Sequence, residues 1–557
     1  MKLYLTIAII ASSLAIHGIM PQAFSQFQKD ISIQAAGYKG SQTHQAMQAR
    51  DTRSYIVGDS KTFWRWNLSV MPPLWIQTPA TCRAVGEHSY VFVADSEWNT
   101  HMTQANVDTI MVRLEQNTPN NPTQGAIAMD IGLFGPIPNE LDNDEKLIVF
   151  YSALGSFQGT SFDGYFSAYN QVTEAEAQQM NPTGHSNECE MIYMTCYPLS
   201  PIAPIRLSVL AHELEHLIHW GQDPNEQAWL DEGCAELAMV VYGIPDPISG
   251  FNSNPDNDLT TWNQTTADYV KVMLFFTYLQ EHYDETGLIS SLVADPANGM
   301  VALNNQVSIH YPQLDTGKIL RNWNVANAID DPLPGNGLYN YAQLNLPNFY
   351  MTSANQYPNL ADQSVSPYAA DYLSYLMPAE PIHFVLQTNA PLYVTAILFD
   401  ESNQCIAVND GELVNQIDIG IGTGDAVKVV FVISNPNSGS ATYSYSIGTV
   451  AFSDPLTPAA RTPEMACYPN PFHADNGKLE VLIANYKQAA KPGKVAVYNL
   501  KGQCISKLQT GGSANSGALQ AFWNGRDSDN QSVASGVYLL RYADDKQSIS
   551  KAVYLVK

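Results

Sequence analysis

Leu207-Ser208-Val209-Leu210-Ala211-His212-Glu213-Leu214-Glu215-His216-Leu217-Ile218 carries two superimposed patterns. Leu207, Leu210, Ala211, Leu214, Leu217 and Ile218 recur at i, i+3, i+4, i+7, i+10 and i+11, the apolar stripe of an α-helix with one face in a core. His212 and His216 then lie one turn apart on an adjoining face, so both imidazoles reach one point. Pro204 sits near the helix start, and Gly221 with Pro224 mark its end. Paired imidazoles with Glu213 beside them suit a divalent metal ion and a proton acceptor.

Two imidazoles leave a zinc ion short of protein ligands, so a third is required. A metzincin continues HExxHxxGxxH, with Gly at 219 and His at 222; this chain has His219 and Gln222. A gluzincin takes a Glu from a following helix, and Trp229-Leu230-Asp231-Glu232-Gly233-Cys234-Ala235-Glu236 fits that pattern. Glu232 is the expected ligand. Glu236, one turn on, is placed to accept the distal N–H of a ligating histidine. The two segments together resemble the HExxH … WLNEGxAE arrangement of gluzincins, nearest to the hyicolysin-like peptidases. The resemblance spans about residues 60–350 and is sharp over 187–240, including the strand-like Asn187–Met194. It departs in having Asp231 for Asn, and in the 15 residues between His216 and Glu232. It implies a zinc metallopeptidase in which Glu213 activates water against protein or peptide substrates.

The other residues near this motif have competing readings. The alternative for Glu232 is a carboxylate stabilising a helix N-terminus. His219 reads as packing or support, because three ligands on successive turns would line up along the helix rather than surround an ion. Glu215 reads as a solvated or supporting carboxylate. Tyr269, at the head of the next helical stretch, and Tyr242 are candidate oxyanion donors, with core packing as the alternative for both. Asp142-Asn143-Asp144 has the composition of a structural calcium loop but lacks the acidic residue of an EF-hand, so a solvated turn is the stronger reading.

The bulk properties are consistent with export. Met1-Lys2-Leu3, the apolar run Leu5–Ile16 and Ala23-Phe24-Ser25 form the pattern of a secretory signal peptide over residues 1–25. No further stretch is long and apolar enough to predict a membrane span in the mature chain. A net charge of −26 disfavours nucleic acid and anionic membranes as partners. Seven cysteines are scattered without metal spacing; Cys467 with Cys504 or Cys189 with Cys196 could bridge.

A chain of 557 residues is too long for one core. Residues 26–75 form an N-terminal extension or propeptide, and 76–350 a mixed α/β catalytic unit in which Tyr90–Val93 and Leu147–Tyr151 are buried strands. Residues 367–453 switch to short apolar and alternating runs, an all-β sandwich. A Pro-containing joint at 454–458 precedes a last β module, 460–557. There, Tyr468-Pro469-Asn470-Pro471-Phe472, Trp523-Asn524-Gly525-Arg526-Asp527, Ala534-Ser535-Gly536-Val537-Tyr538 and the basic final strand closely resemble, in order, the type A sorting domain of the type IX secretion system. That resemblance implies the type IX machinery as a partner, and secretion to the medium or outer surface of a Gram-negative-type bacterium. The expected fold is therefore multidomain: an α+β zincin-like catalytic domain, an all-β sandwich and a small Ig-like β-sandwich. The alternative to a secreted endopeptidase is an inactive surface-binding or adhesion protein on a peptidase scaffold.

Overall fold

The computed structural model describes residues 33–39, 54–449 apart from a few single or paired positions, and most of 464–556. The signal peptide, the 454–458 joint and Pro469–Pro471 lie outside the described residues. The chain forms several β-sheets and one helical layer.

The first sheet has six strands: β1 (Ser60–Asn67), β2 (Leu74–Val85), β3 (Ser89–Ala94), β4 (Leu147–Ser152), β5 (Gly164–Phe166) and β6 (Met191–Thr195). Their order is β1-β2-β3-β4-β6-β5, with β3, β4 and β6 parallel and β5 antiparallel at the edge. Side chains alternate along each strand. Val91, Val93, Val149, Tyr151, Ile192 and Met194 therefore enter the core shared with the helices. Tyr90, Phe92, Ile148, Phe150, Met191 and Tyr193 enter a second core with Phe63, Trp66 and Tyr165. Burial on both faces explains why these strands read as unbroken apolar runs.

The helical layer consists of α1 (Gln104–Glu115), α2 (Ala126–Phe134), α3 (Pro204–Gln222), α4 (Ala228–Tyr242), α5 (Thr266–Tyr283) and α6 (Thr316–Ile329), with shorter helices between the last two. Buried Arg206, in the first turn of α3, pairs with Asp163 just before β5 and so ties the helix to the sheet edge.

Two domain boundaries move. The division at 75/76 falls inside β2, and all of β1 pairs with it from Ser60↔Thr81 to Asn67↔Leu74. Phe63, Trp66 and Leu68 are fully buried, so residues 60–75 belong to the folded unit and not to a removable extension. The all-β module likewise begins before 367: Thr352–Ala354 and Asn359–Val365 are strands of its eight-stranded sheet, and its described strands form that single sheet in place of the two expected of a sandwich. An 18-residue strand, Ile382–Phe399, runs through this module and pairs first with Ala441–Thr449 and then with Lys428–Ser434. The last module packs two sheets around Trp523, Leu540 and Val553. No disulfide joins Cys467 to Cys504 or Cys189 to Cys196.

Candidate metal centre

Helix α3 starts with proline at its first turn, and its apolar residues Leu207, Leu210, Leu214, Leu217 and Ile218 are all buried. That packing fixes its rotation and turns His212 and His216 toward α4. The imidazole rings stand nearly perpendicular, 4.8 Å apart, with Nε2 facing Nε2 at 3.2 Å. Glu232, in the second turn of α4, places Oε2 3.7 Å from His212 Nε2 and 3.8 Å from His216 Nε2. Zinc bonds of about 2.0–2.2 Å in tetrahedral array hold donors roughly 3.3–3.6 Å apart. The three separations, 3.2, 3.7 and 3.8 Å, fall just to either side of this range, and the atoms are of the right chemical type, so small side-chain adjustments fit the residues to the ion.

Their supports are arranged around the opposite ring nitrogens. Glu236 is fully buried with Oε1 3.6 Å from His212 Nδ1, an electrostatic contact longer than a hydrogen bond. Asp231 Oδ1 lies 3.0 Å from His216 Nδ1. With a carboxylate as acceptor, His216 holds a proton on Nδ1 and points Nε2 toward His212 and Glu232, where a bound ion would replace the second ring proton. Burial would lower the pKa of His216, but Asp231, Glu232 and Glu213 outweigh it and hold the ring well above the ordinary imidazole range.

Asp231 is a site residue that sequence reasoning passed over, treating it as a harmless departure from Asn. Glu215 needs a correction: it is fully buried, not solvated. It lies 3.1 Å from Nδ1 of His219, which is also buried. Burial pulls the His219 pKa down, and Glu215 pushes it up to about 9. Asp130 on α2 is buried on the same side; burial, then the Glu215 charge, raises its pKa well above the carboxylate range. Glu215 and His219 also lie within 4.8 Å of the Cys234 sulfur, a second group of donor atoms behind the first.

Glu213 is buried between α3 and the sheet edge: a Cβ added at Gly164 of β5 would lie 3.0 Å from its Cγ. Tyr269 is half-buried in the first turn of α5, edge-on to Trp262 at 4.9 Å. Burial, then the charges of Glu232, Glu236 and Glu213, raises its pKa well above the usual phenol range, so its hydroxyl stays protonated beside those carboxylates. Tyr242 lies ten residues beyond Glu232, about 15 Å along the helix at 1.5 Å per residue. Tyr242 is a core residue, its pKa raised to about 12 by burial. The Asp142–Asp144 turn is only partly solvated: Asn143 is exposed, Asp144 half-buried and Asp142 buried. Its carboxylates accept the N–H groups of Asp144 and Lys146 and the Tyr90 hydroxyl.

No family model matches the chain, and no curated protein matches it. Among solved structures, it is similar to PorZ, a surface component of the type IX secretion system of Porphyromonas gingivalis, at 21% identity and a TM-score of 0.13. That match covers 23% of this chain and 15% of PorZ. It is also similar to the pre-peptidase C-terminal domain of a Bacillus anthracis collagenase, at 15% identity over 18% of this chain and 99% of that one, with a TM-score of 0.16. Likenesses at these scores carry no argument about function.

Proposed function

We propose that the protein is a secreted zinc-dependent endopeptidase of gluzincin type. The observation that carries this reading is the convergence of His212, His216 and Glu232 from two helices with Glu213 beside them. When bound, zinc supplies a Lewis acid that acidifies water and polarises the scissile carbonyl. His212, His216 and Glu232 hold it, and Asp231 keeps the His216 donor atom aimed. Glu213 accepts a proton from the attacking water on a carboxylate oxygen and returns it to the departing amine nitrogen. Tyr269, protonated and close to the same carboxylates, is the candidate donor to the developing oxyanion.

Edge strand β5 suits an extended peptide. Its backbone pairs with β6 on one side, and Gly164 brings that backbone against Glu213. A substrate strand adding to the open side would pass the proton acceptor. The C-terminal module, by its resemblance to a type A sorting domain, supports export through the type IX machinery to the cell surface or medium.

Zinc content and casein hydrolysis, compared between wild type and Glu213→Ala, test the reading. Equal zinc with hydrolysis lost only in the variant supports it. Full hydrolysis by the variant overturns the role of Glu213. Zinc bound without hydrolysis in either protein would favour the surface-binding alternative.

A further inference from the structure

We propose that His219, backed by Glu215, is a positioning residue for the metal centre: it fixes Asp231, which in turn orients His216. The inference rests on the zinc reading above. The four residues form a closed ring across α3 and α4. Glu215 Oε1 is 3.1 Å from His219 Nδ1, and its Oε2 is 3.8 Å from His216 Nδ1. Asp231 Oδ1 is 3.6 Å from His219 Nδ1 and 3.0 Å from His216 Nδ1. Two imidazole Nδ1 atoms thus converge on one carboxylate oxygen.

The need for such a device follows from exposure. Glu215 and His219 are held at 0% and 1% exposure, whereas the Asp231 side chain is 38% exposed. A carboxylate with that much exposure can exchange its bond to His216 for a solvent contact. His219 lies one turn beyond His216 and cannot follow it, because Glu215 anchors its Nδ1 from below. The buried pair therefore marks a fixed place for the Asp231 carboxylate. A carboxylate fixed on the distal N–H makes a ligating imidazole a better donor, and losing such a partner costs about 10–100-fold in metal affinity.

The role is measurable as zinc affinity, by competition with a chromophoric chelator, independently of hydrolysis. His219→Leu removes both ring nitrogens and is expected to weaken zinc binding about 10-fold. His219→Asn keeps an N–H near the Nδ1 position and is expected to recover most of that loss. In an Asp231→Ala background the link is already cut, so His219→Leu should add little, a non-additivity expected of coupled residues. Equal losses in both backgrounds, or no loss in either, would overturn the proposal. So would a second zinc equivalent in wild type that His219→Leu abolishes, since His219 would then be a ligand. Absence of zinc binding by wild type would instead refute the proposed function itself.

Discussion

Gly233 of α4 faces the Phe276 ring of α5 so closely that a Cβ at position 233 would lie 2.3 Å from two ring carbons. The residue after the candidate ligand Glu232 is thus where α4 and the Tyr269-bearing helix α5 approach. Gly233→Ala must push the helices apart, and overpacking of this kind costs about 1–3 kcal/mol. A urea-unfolding midpoint equal to wild type would show that the contact relaxes without cost.

Glu232→Gln separates ligand from support. Removing a ligand should cost more zinc affinity than the roughly 10–100-fold typical of a supporting residue. Asp231→Asn, which keeps an acceptor for His216, should cost less. Chelator competition ranks the two, and the reverse order would exchange their roles.

Chelation should inactivate the protein without unfolding it. Both helices are packed independently of any ion, through Leu210, Leu214 and Leu217 on α3 and Leu230, Leu237 and Val240 on α4. A ligand present at 100 times its Kd stabilises by about 2.7 kcal/mol. Chelator-treated protein should keep its far-UV circular dichroism and lose only several degrees in Tm. Collapse of the helical signal would show that the site is built by the metal.

Much of this centre was legible because it obeys one period. The α3 stripe fixes which residues are buried, and the histidine pair follows from it. Glu232 was expected from the gluzincin pattern that the following helical segment resembles, although its spacing from His216 departs from that pattern. Asp231 was not legible, since its role depends on the angle at which α4 crosses α3. Of the two readings of Glu215, solvated or supporting, the solvated one fails: the side chain is fully buried, and buried Asp130 on α2 feels its charge. The start of the folded unit was missed for a related reason. Phe63, Trp64, Arg65 and Trp66 alternate only weakly, and their membership of the sheet depends on pairing with β2.

Asp371, in the eight-stranded sheet, should make stability fall with rising pH. Burial raises its pKa to about 7, although the Tyr443 hydroxyl at 2.7 Å favours the ionised form. An unfolded aspartate ionises near pH 4. Between those values the native chain holds a proton that the unfolded chain has released, so stability declines from about pH 4 to about pH 7. Asp371→Asn should flatten that slope in thermal melts at pH 5 and pH 7. An unchanged slope would assign the decline to other groups.

Phe399→Ala should destabilise the helical unit as well as the eight-stranded sheet that contains it. Phe399 is 5% exposed and shares one apolar cluster with Val325 of α6, Tyr339, Tyr372, Ile397 and Val432. The Tyr372 hydroxyl donates to the Asn324 carbonyl of α6 at 2.9 Å, so the contact is polar as well as apolar. Truncating a buried phenylalanine costs about 3–5 kcal/mol. Because the cluster belongs to both modules, calorimetry should show one joint transition moving to lower temperature. Two resolved transitions, with only the β-rich one displaced, would show that the modules unfold independently despite the shared core.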